Sequence, residues 1–388
     1  MSEVFDWPSR WMDEELVLFD EMVRRVLADC APPERLARWR RDGIVERAAW
    51  RELAEAGLLG LSIAPEFGGA GGDFRHEAVL IRRLGLIGAE GWGLPLHNSI
   101  VAPYVVNHGT AEQRGRWLPR MVSGALIGAI AMTEPGAGSD LRGIRTTARR
   151  DGDVWRITGQ KTFISNGQHA DFIIVVARTD LEAGSNGFSL FGVETADAPG
   201  FTRGRNLDKI GLEMGDTSEL FFEDVPVPAI NLIGGEEGRG LRQLMRELPR
   251  ERLMIAIESL TLIEAAIAHA LAYVTERQAF GKSLAEFQNT QFRLADCKTE
   301  AMVARSFVDD CIERCLRGDL DATGASMAKL WVSERAQRVV DSCQQLFGGY
   351  GYMSEYPIAQ MYRDVRVKRI YGGTSEVMKL LIARSFDR

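Results

Sequence analysis

Little in this chain invites a metal or a disulfide. Its 388 residues hold only five histidines and five cysteines. The histidines are dispersed, and none has a partner at metal-ligand spacing. Cys30, Cys297, Cys311, Cys315 and Cys343 are an odd, scattered set, which speaks against a disulfide framework and for free thiols in a reducing compartment. Cys311 and Cys315 stand one helical turn apart, but without a second pair they read as core or helix-surface thiols. Positive charge is short as well. The net charge is −7 and no long basic run appears, so nucleic acid is not an expected partner. The densest basic stretch, "RLARWRRDGIVER", mixes in acids and reads as a solvated helix face. No uninterrupted apolar run reaches the ~18 residues of a membrane span. The longest candidate, "LMIAIESLTLIEAAIAHALAYV", is broken by Glu258, Glu264 and His269 and reads as a buried helix, so no membrane insertion is expected. The acidic start "MSEVFDWPSRWMDEELVLFDEMVRR" lacks the apolar segment of a secretory signal and makes a poor transit peptide. The expected location is cytoplasmic. Short-period repeats are missing, and no strand–helix alternation points to a continuous parallel sheet of the NAD-binding kind.

What is present is an ordinary globular composition, 45% hydrophobic and 26% charged, in a chain long enough for two or three packed units. Residues 1–126 read as a helical domain: "DEELVLFDEMVRRVLADC" and "IVERAAWRELAEAGLLG" repeat apolar residues at helical spacing, the second ending at a glycine stop. "PEFGGAGGD" reads as a flexible turn, too short and wrongly flanked for a dinucleotide fingerprint. Residues 127–236 change texture. "DFIIVVART", "FSLFGVET" and "SELFFEDVPVP" are short, β-branched or aromatic, and bounded by turn residues, as in a small antiparallel barrel or sandwich. Residues 237–388 return to helical spacing. Two long runs before residue 280, a third in "EFQNTQFRLADCKTEAMVARSFVDDCIERCLRG" and a fourth in "ASMAKLWVSERAQRVVDSCQQLFGG" predict a four-helix bundle. The fold class is thus mainly α with a central β domain.

Several stretches look built for a ligand. In "AMTEPGAGSD" the glycines let backbone approach a ligand closely, Thr133 and Ser139 offer hydroxyls, and exposed N–H groups suit a carbonyl or phosphate; Glu134 and Asp140 read as loop caps. "GQKTFISNGQHAD" places Phe163 and Ser165 in a strand, where Phe163 by itself reads as core. "TERQAFGKSLAEFQNTQFRLAD", "QLFGGYGYMSEYPIAQMYRD" and "RIYGGTSEV" follow in the helical part.

In this order, and over nearly the whole chain, these five segments resemble the acyl-CoA dehydrogenase family. "ELPRERLMIA" and "RIYGGTSEVMKLLIAR" look most like its long-chain and isovaleryl types. The resemblance implies FAD held between the β domain and the bundle. Met132 and Thr133 would meet the isoalloxazine, Ser139 the phosphates and substrate, and Phe163 and Ser165 would cover the ring where relatives often carry Trp. Arg277, Phe280 and Gln288 match positions that reach the FAD of a neighbouring subunit, a guanidinium suiting a pyrophosphate, although Arg277 by itself also reads as a surface partner of Glu276 or Glu286. Gln345, Gly348 and Gly349 would line the same nucleotide, and Thr374 and Glu376 would complete the cofactor contacts. Implied partners are an acyl-CoA substrate, an electron-transferring flavoprotein and copies of the same chain in a tetramer.

The reaction implied is removal of a proton α to a thioester with hydride transfer from the β carbon to flavin. It needs a positioned carboxylate and donors on the thioester oxygen. Many relatives take that carboxylate from the loop where Gly372 stands here. Glycine removes no proton, yet its backbone N–H remains as a donor, with Gly373 beside it. The long-chain and isovaleryl types supply the base from the helix matching "ELPRERLMIA", which points to Glu251, with Arg252 next to the base and the acyl thioester. Read by residue type alone, Glu251 among Glu247, Arg250 and Arg252 is a solvated helix charge. His97 falls where the family shapes the far end of the acyl pocket, and reads equally as a satisfied core histidine. Rival readings are a same-fold flavin oxidase acting on acyl-CoA or nitroalkanes, which an Asp base or a longer chain would favour, and a non-catalytic flavin-binding relative, which would want a basic surface.

Overall fold

The computed structural model describes residues 9–387, so the first eight residues, on which part of the N-terminal reading rests, lie outside the described residues. The amphipathic spacing at the start folds into α1 (Glu14–Cys30), α2 (Pro33–Asp42), α3 (Arg47–Glu55), α4 (Phe74–Leu86), α5 (Ala102–His108) and α6 (Ala111–Val122). Local chemistry sets their ends. The Asp13 side chain accepts from the Leu16 N–H, Thr110 and Gln113 cap each other, and α2 stops at Gly43 with φ +69°. A π-helical stretch, Leu96–Val101, runs directly into α5.

Seven strands follow: β1 (Gly128–Ala131), β2 (Thr147–Asp151), β3 (Val154–Ser165), β4 (Phe172–Arg178), β5 (Phe188–Glu194), β6 (Phe201–Asn206) and β7 (Thr217–Pro228). Their order is β1-β4-β2-β3-β7-β6, with β5 paired to β4. Most pairs are antiparallel as expected, but β1–β4 and the short β2–β4 contact are parallel. The β2–β3 hairpin lies between β1 and β4 in the chain and supplies the length a parallel crossover needs. β4 shows why "FIIVVA" runs apolar without alternating. Phe172, Ile174 and Val176 enter the core shared with the helices, while Ile173, Val175 and Ala177 enter a second core inside the curled sheet.

Helices then resume as α7 (Gly240–Glu276), α8 (Gln288–Arg317), α9 (Ala322–Leu346), α10 (Pro357–Asp364) and α11 (Ser375–Ala383), with a hairpin of β8 (Gln278–Ala279) and β9 (Lys282–Ser283) after α7. The two runs expected before residue 280 are one helix of 37 residues that accommodates Pro249. α7, α8 and α9 pack on one another, α11 lies against α9, and α4 covers a further side of α7. By length and composition α7 is apolar enough to cross a membrane, which the reading of its charges as breaks missed. However, 89% of its most apolar window is buried inside the protein. Glu258 and Glu264 are buried with partners. Glu264 accepts from Arg305 Nε at 2.9 Å, and Glu258 lies 2.7 Å from Lys368 Nζ.

Candidate active site

Two pairs of side chains stitch α5 to α7. Tyr104 and His108, one turn apart on α5, meet Glu251 and Glu247, one turn apart on α7. The Tyr104 hydroxyl donates to Glu251 Oε1 at 2.9 Å, and His108 Nε2 lies 2.8 Å from Glu247 Oε1. The pairing order is reversed, so the two helices are antiparallel here. Asn107 Nδ2 adds bonds of 3.1 Å to both oxygens of Glu247.

Glu251 is therefore not the solvated helix charge that its neighbours suggested. It is 4% exposed, and among the described residues Tyr104 is its one hydrogen-bond donor. Burial pushes its carboxyl up to about 7. Glu247 adds to the rise, while the Tyr104 hydrogen bond and the nearby Arg252 charge oppose it. Arg252 is buried too. Its Nη1 lies 3.4 Å from Ser326 Oγ and its Nε has no partner.

The glycine loop lies against the same helix. Gly372 and Gly373 have φ of +62° and +98°, open to glycine and strained for other residues. A Cβ on Gly372 would overlap Ile255 Cδ1, and Ile255 is one turn beyond Glu251 on α7. Positions 251 and 372 thus flank one side chain. Lys329, fully buried on α9, donates to Gly373 O at 2.6 Å, and burial pushes its ammonium down to about 8. Thr374 caps α11, its hydroxyl accepting from the Val377 N–H, and Glu376 stands exposed in that helix's first turn.

A second group forms at the end of β1. Thr133 O accepts from the Thr162 N–H at 2.9 Å, and Met132 O accepts from Lys161 Nζ at 3.0 Å, tying the loop to β3. Glu134 does more than cap the loop: it accepts from the Arg145 and Thr146 N–H groups and pairs with the buried Lys161 at 2.9 Å. Asp140 caps as expected, accepting from the Arg142 N–H. Gly136, Gly138 and Ser139 are exposed, and a Cβ on either glycine meets nothing within 4 Å. Phe163 is not core. The strand pairing shifts between Lys161 and Ile164, and Phe163 turns out of the sheet at φ +59°, 68% exposed. Ser165 is half-buried.

The third group lies around the β8–β9 hairpin. Phe280 occupies its turn at φ +51° and is 95% exposed. Arg277 forms no ion pair with Glu276 or Glu286. Its guanidinium lies 5.5 Å from the centre of the Tyr350 ring, and Glu286 instead accepts from the Ser283 N–H. Gln288, Gln345, Gly348 and Gly349 are exposed. Among the described residues no hydrogen bond or ring contact joins this group to Glu251 or to Phe163. An aromatic side chain in left-handed backbone is costly, and both Phe163 and Phe280 carry that cost while facing outward.

Other candidates resolve as structure. His97 accepts the Gly128 N–H at Nδ1 and reaches Met121 O with Nε2, and burial pushes it down to about 4. It is a neutral, satisfied core histidine. The five cysteines are free, and among the described residues no cluster of metal-ligating side chains exists. Sequence reasoning missed Tyr104 and Lys329. Tyr104 was legible in principle, because its one-turn spacing to His108 mirrors that of Glu247 and Glu251.

The families described as acyl-CoA dehydrogenase N-terminal, middle and C-terminal domains match residues 13–125, 129–225 and 238–386. Long-chain specific acyl-CoA dehydrogenase of Mus musculus is 47% identical over 377 residues, 97% of this chain and 87% of the relative. Isovaleryl-CoA dehydrogenase of Pongo abelii is 37% identical over 88% of this chain and 81% of the relative. The crystal structure of acyl-CoA dehydrogenase from Geobacillus kaustophilus superposes with a TM-score of 0.96 at 48% identity, covering 98% of this chain and all of the other.

Proposed function

The chain belongs to the acyl-CoA dehydrogenase family, and from that premise we propose that Glu251 is the base of its α,β-dehydrogenation, taking the α proton of an acyl-CoA thioester to give a trans-2-enoyl-CoA. The observation that carries this reading is the burial of Glu251, with a single hydroxyl donor on one oxygen, one helical turn from the Ile255 side chain against which Gly372 lies. Tyr104 holds Oε1, which leaves Oε2 to accept the proton. A carboxyl pushed up to about 7 is a stronger base than a free glutamate once ionised. The Gly372 N–H, with Gly373 beside it, serves the thioester oxygen as negative charge builds there. Arg252 adds positive charge next to the base.

The residues fit FAD. Gly136 and Gly138 leave open room for close backbone approach, and Phe163 and Phe280 present bare aromatic faces. Met132, Thr133, Ser139, Phe163 and Ser165 would hold the flavin of their own subunit, with Thr374 and Glu376 completing its contacts. Arg277, Phe280, Gln288, Gln345, Gly348 and Gly349, apart from that site within one chain, would serve the nucleotide of a neighbour in a homotetramer. Bound FAD would supply the acceptor for the β hydride at N5, and an electron-transferring flavoprotein would carry the electrons onward.

Two results test this reading. Saturated acyl-CoA bleaches the yellow holoenzyme anaerobically without sustained oxygen uptake in air, and kcat/KM for reduction rises tenfold per pH unit up to about pH 7, then levels. Tyr104→Phe, which loses a donor to the ionised carboxylate, moves that limb to higher pH. A limb in the ordinary carboxylate range removes Glu251 as the base. Separately, Gly136→Val and Arg277→Ala are both expected to purify with less flavin. Only Arg277→Ala also weakens association by light scattering; full flavin and wild-type mass in both variants contradict the assigned roles.

A further inference from the structure

The helix that carries Glu251 bears a further buried acid on the same face. Glu258 follows seven residues later, two turns along α7, with Ile255 between them. Its Oε2 lies 2.7 Å from Lys368 Nζ and accepts from the Tyr371 hydroxyl at 2.8 Å. Lys368 also reaches Glu90 Oε2 at 3.2 Å. The Lys368 side chain is fully buried, and those of Glu90 and Glu258 are 5% and 8% exposed. The three charges come from three places: the turn after α4, the middle of α7, and the stretch after α10. Among the described residues Lys368 is the one group that reaches the Glu90 carboxylate, and burial pushes that carboxyl up to about 7 against the pull of Lys368.

Two buried carboxylates around one ammonium are a poor device for stability, since apolar side chains of similar size commonly do as well. The cluster does, however, bring three segments into one register. Tyr371 directly precedes Gly372, whose glycine neighbour is held from the other side by Lys329. Two successive glycines in left-handed backbone have no side chains of their own to fix them. Their position has to be imposed from outside, and Tyr371 is where the buried cluster reaches them.

We propose that Lys368 is a positioning residue for the dehydrogenation: by holding Glu258 and Glu90 together it fixes Tyr371, and through it the Gly372 N–H, against the thioester oxygen. The inference rests on the reading of Gly372 as that oxygen's donor. Such a donor works only when aimed at the oxygen of the transition state, and a displacement of about 1 Å can cost ~10²-fold.

The test compares Lys368→Met with the apolar triple variant Lys368→Met/Glu258→Leu/Glu90→Leu, each as FAD-loaded enzyme. Melting temperature, flavin reduction per bound flavin and the infrared stretch of a ¹³C-labelled thioester carbonyl in bound enoyl-CoA are read together. The single variant leaves two acids unpaired and melts earlier. The triple variant regains the wild-type melting temperature, yet reduces flavin about 10–10²-fold more slowly at unchanged KM. Its carbonyl stretch moves back toward that of the free thioester. A triple variant with wild-type rate and stretch shows that Lys368 only balances charge, and overturns the proposal. Tyr371→Phe keeps every charge and removes only the link to the loop. It shifts the carbonyl in the same direction by less, and an unshifted carbonyl in this variant overturns the proposal even where the triple variant does not fold. If the wild-type enzyme itself leaves the carbonyl unshifted, the donor reading of Gly372 fails first. A shift in the wild type that persists in all variants fails the Lys368 inference alone.

Discussion

Glu251→Gln is expected to bind acyl-CoA and keep its flavin, yet to reduce that flavin at least ~10²–10⁴-fold more slowly than the native enzyme. The amide preserves the shape of the side chain and still offers an oxygen to the Tyr104 hydroxyl, so the packing of α5 on α7 stays intact. It has no lone pair basic enough to take the α proton. The same substitution is expected to stabilise the protein, and the sign follows from the shift. The carboxyl titrates near 7 in the folded state against 4.5 for the free group, so the folded state holds a proton that the unfolded chain has already released. Native stability therefore falls as pH rises through that window, by about 3 kcal/mol in all, an upper figure. Glutamine escapes this loss, and Glu251→Gln melts higher than the native protein above pH 7 while the two converge in acid. Anaerobic stopped-flow reduction and thermal melts at both ends of the window decide the matter. Native-like reduction, or no gain in melting temperature at high pH, is incompatible with Glu251 as a buried base.

Gly372→Glu, which puts a carboxylate back on the loop, is expected to lose ~10²-fold or more in the native background. Its Cβ overlaps Ile255 Cδ1. Its φ of +62° costs a non-glycine residue roughly 1–2 kcal/mol. It also sets a second acid near Glu251, where the two compete for one proton and raise each other's pKa. Any loop shift that relieves the overlap moves the N–H assigned to the thioester oxygen. Ile255→Val deletes the one obstructing atom at a cost of about 0.5–1.5 kcal/mol. Glu251→Gln/Gly372→Glu is thus expected to recover little turnover, and Glu251→Gln/Ile255→Val/Gly372→Glu distinctly more. Equal recovery with and without Ile255→Val would mean that Ile255 does not occupy the space a loop carboxylate needs.

Most of the architecture could be read from spacing, since helical and strand periodicities change cleanly near residues 127 and 237. The sequence also pointed to Glu251, through the glycine at 372 where a carboxylate was otherwise expected. The partners of these residues were hidden for a physical reason. Glu258 and Lys368 stand 110 positions apart and Tyr104 and Glu251 stand 147 apart, so no local pattern ties them. Charges in α7 looked like interruptions because their burial depends on counter-charges delivered by other segments. Phe163 looked like core because an aromatic in a strand usually is, and only the register shift beside it turns the ring outward. The two runs expected before residue 280 are one helix because local spacing carries no knowledge of the helices that pack around α7 and hold it continuous through Pro249.

β4 belongs to two cores at once, alternate residues facing the helices and the interior of the curled sheet. A strand of this kind has no face suited to water. If the helices detach, Phe172, Ile174 and Val176 lose their cover and the strand loses its reason to remain straight; if the sheet opens, the helical core loses part of its floor. Loosening on either side is therefore felt on the other within a single strand's thickness. The three segments that look separable along the chain are expected to melt together, and the sheet excised alone would be a sticky fragment rather than a module.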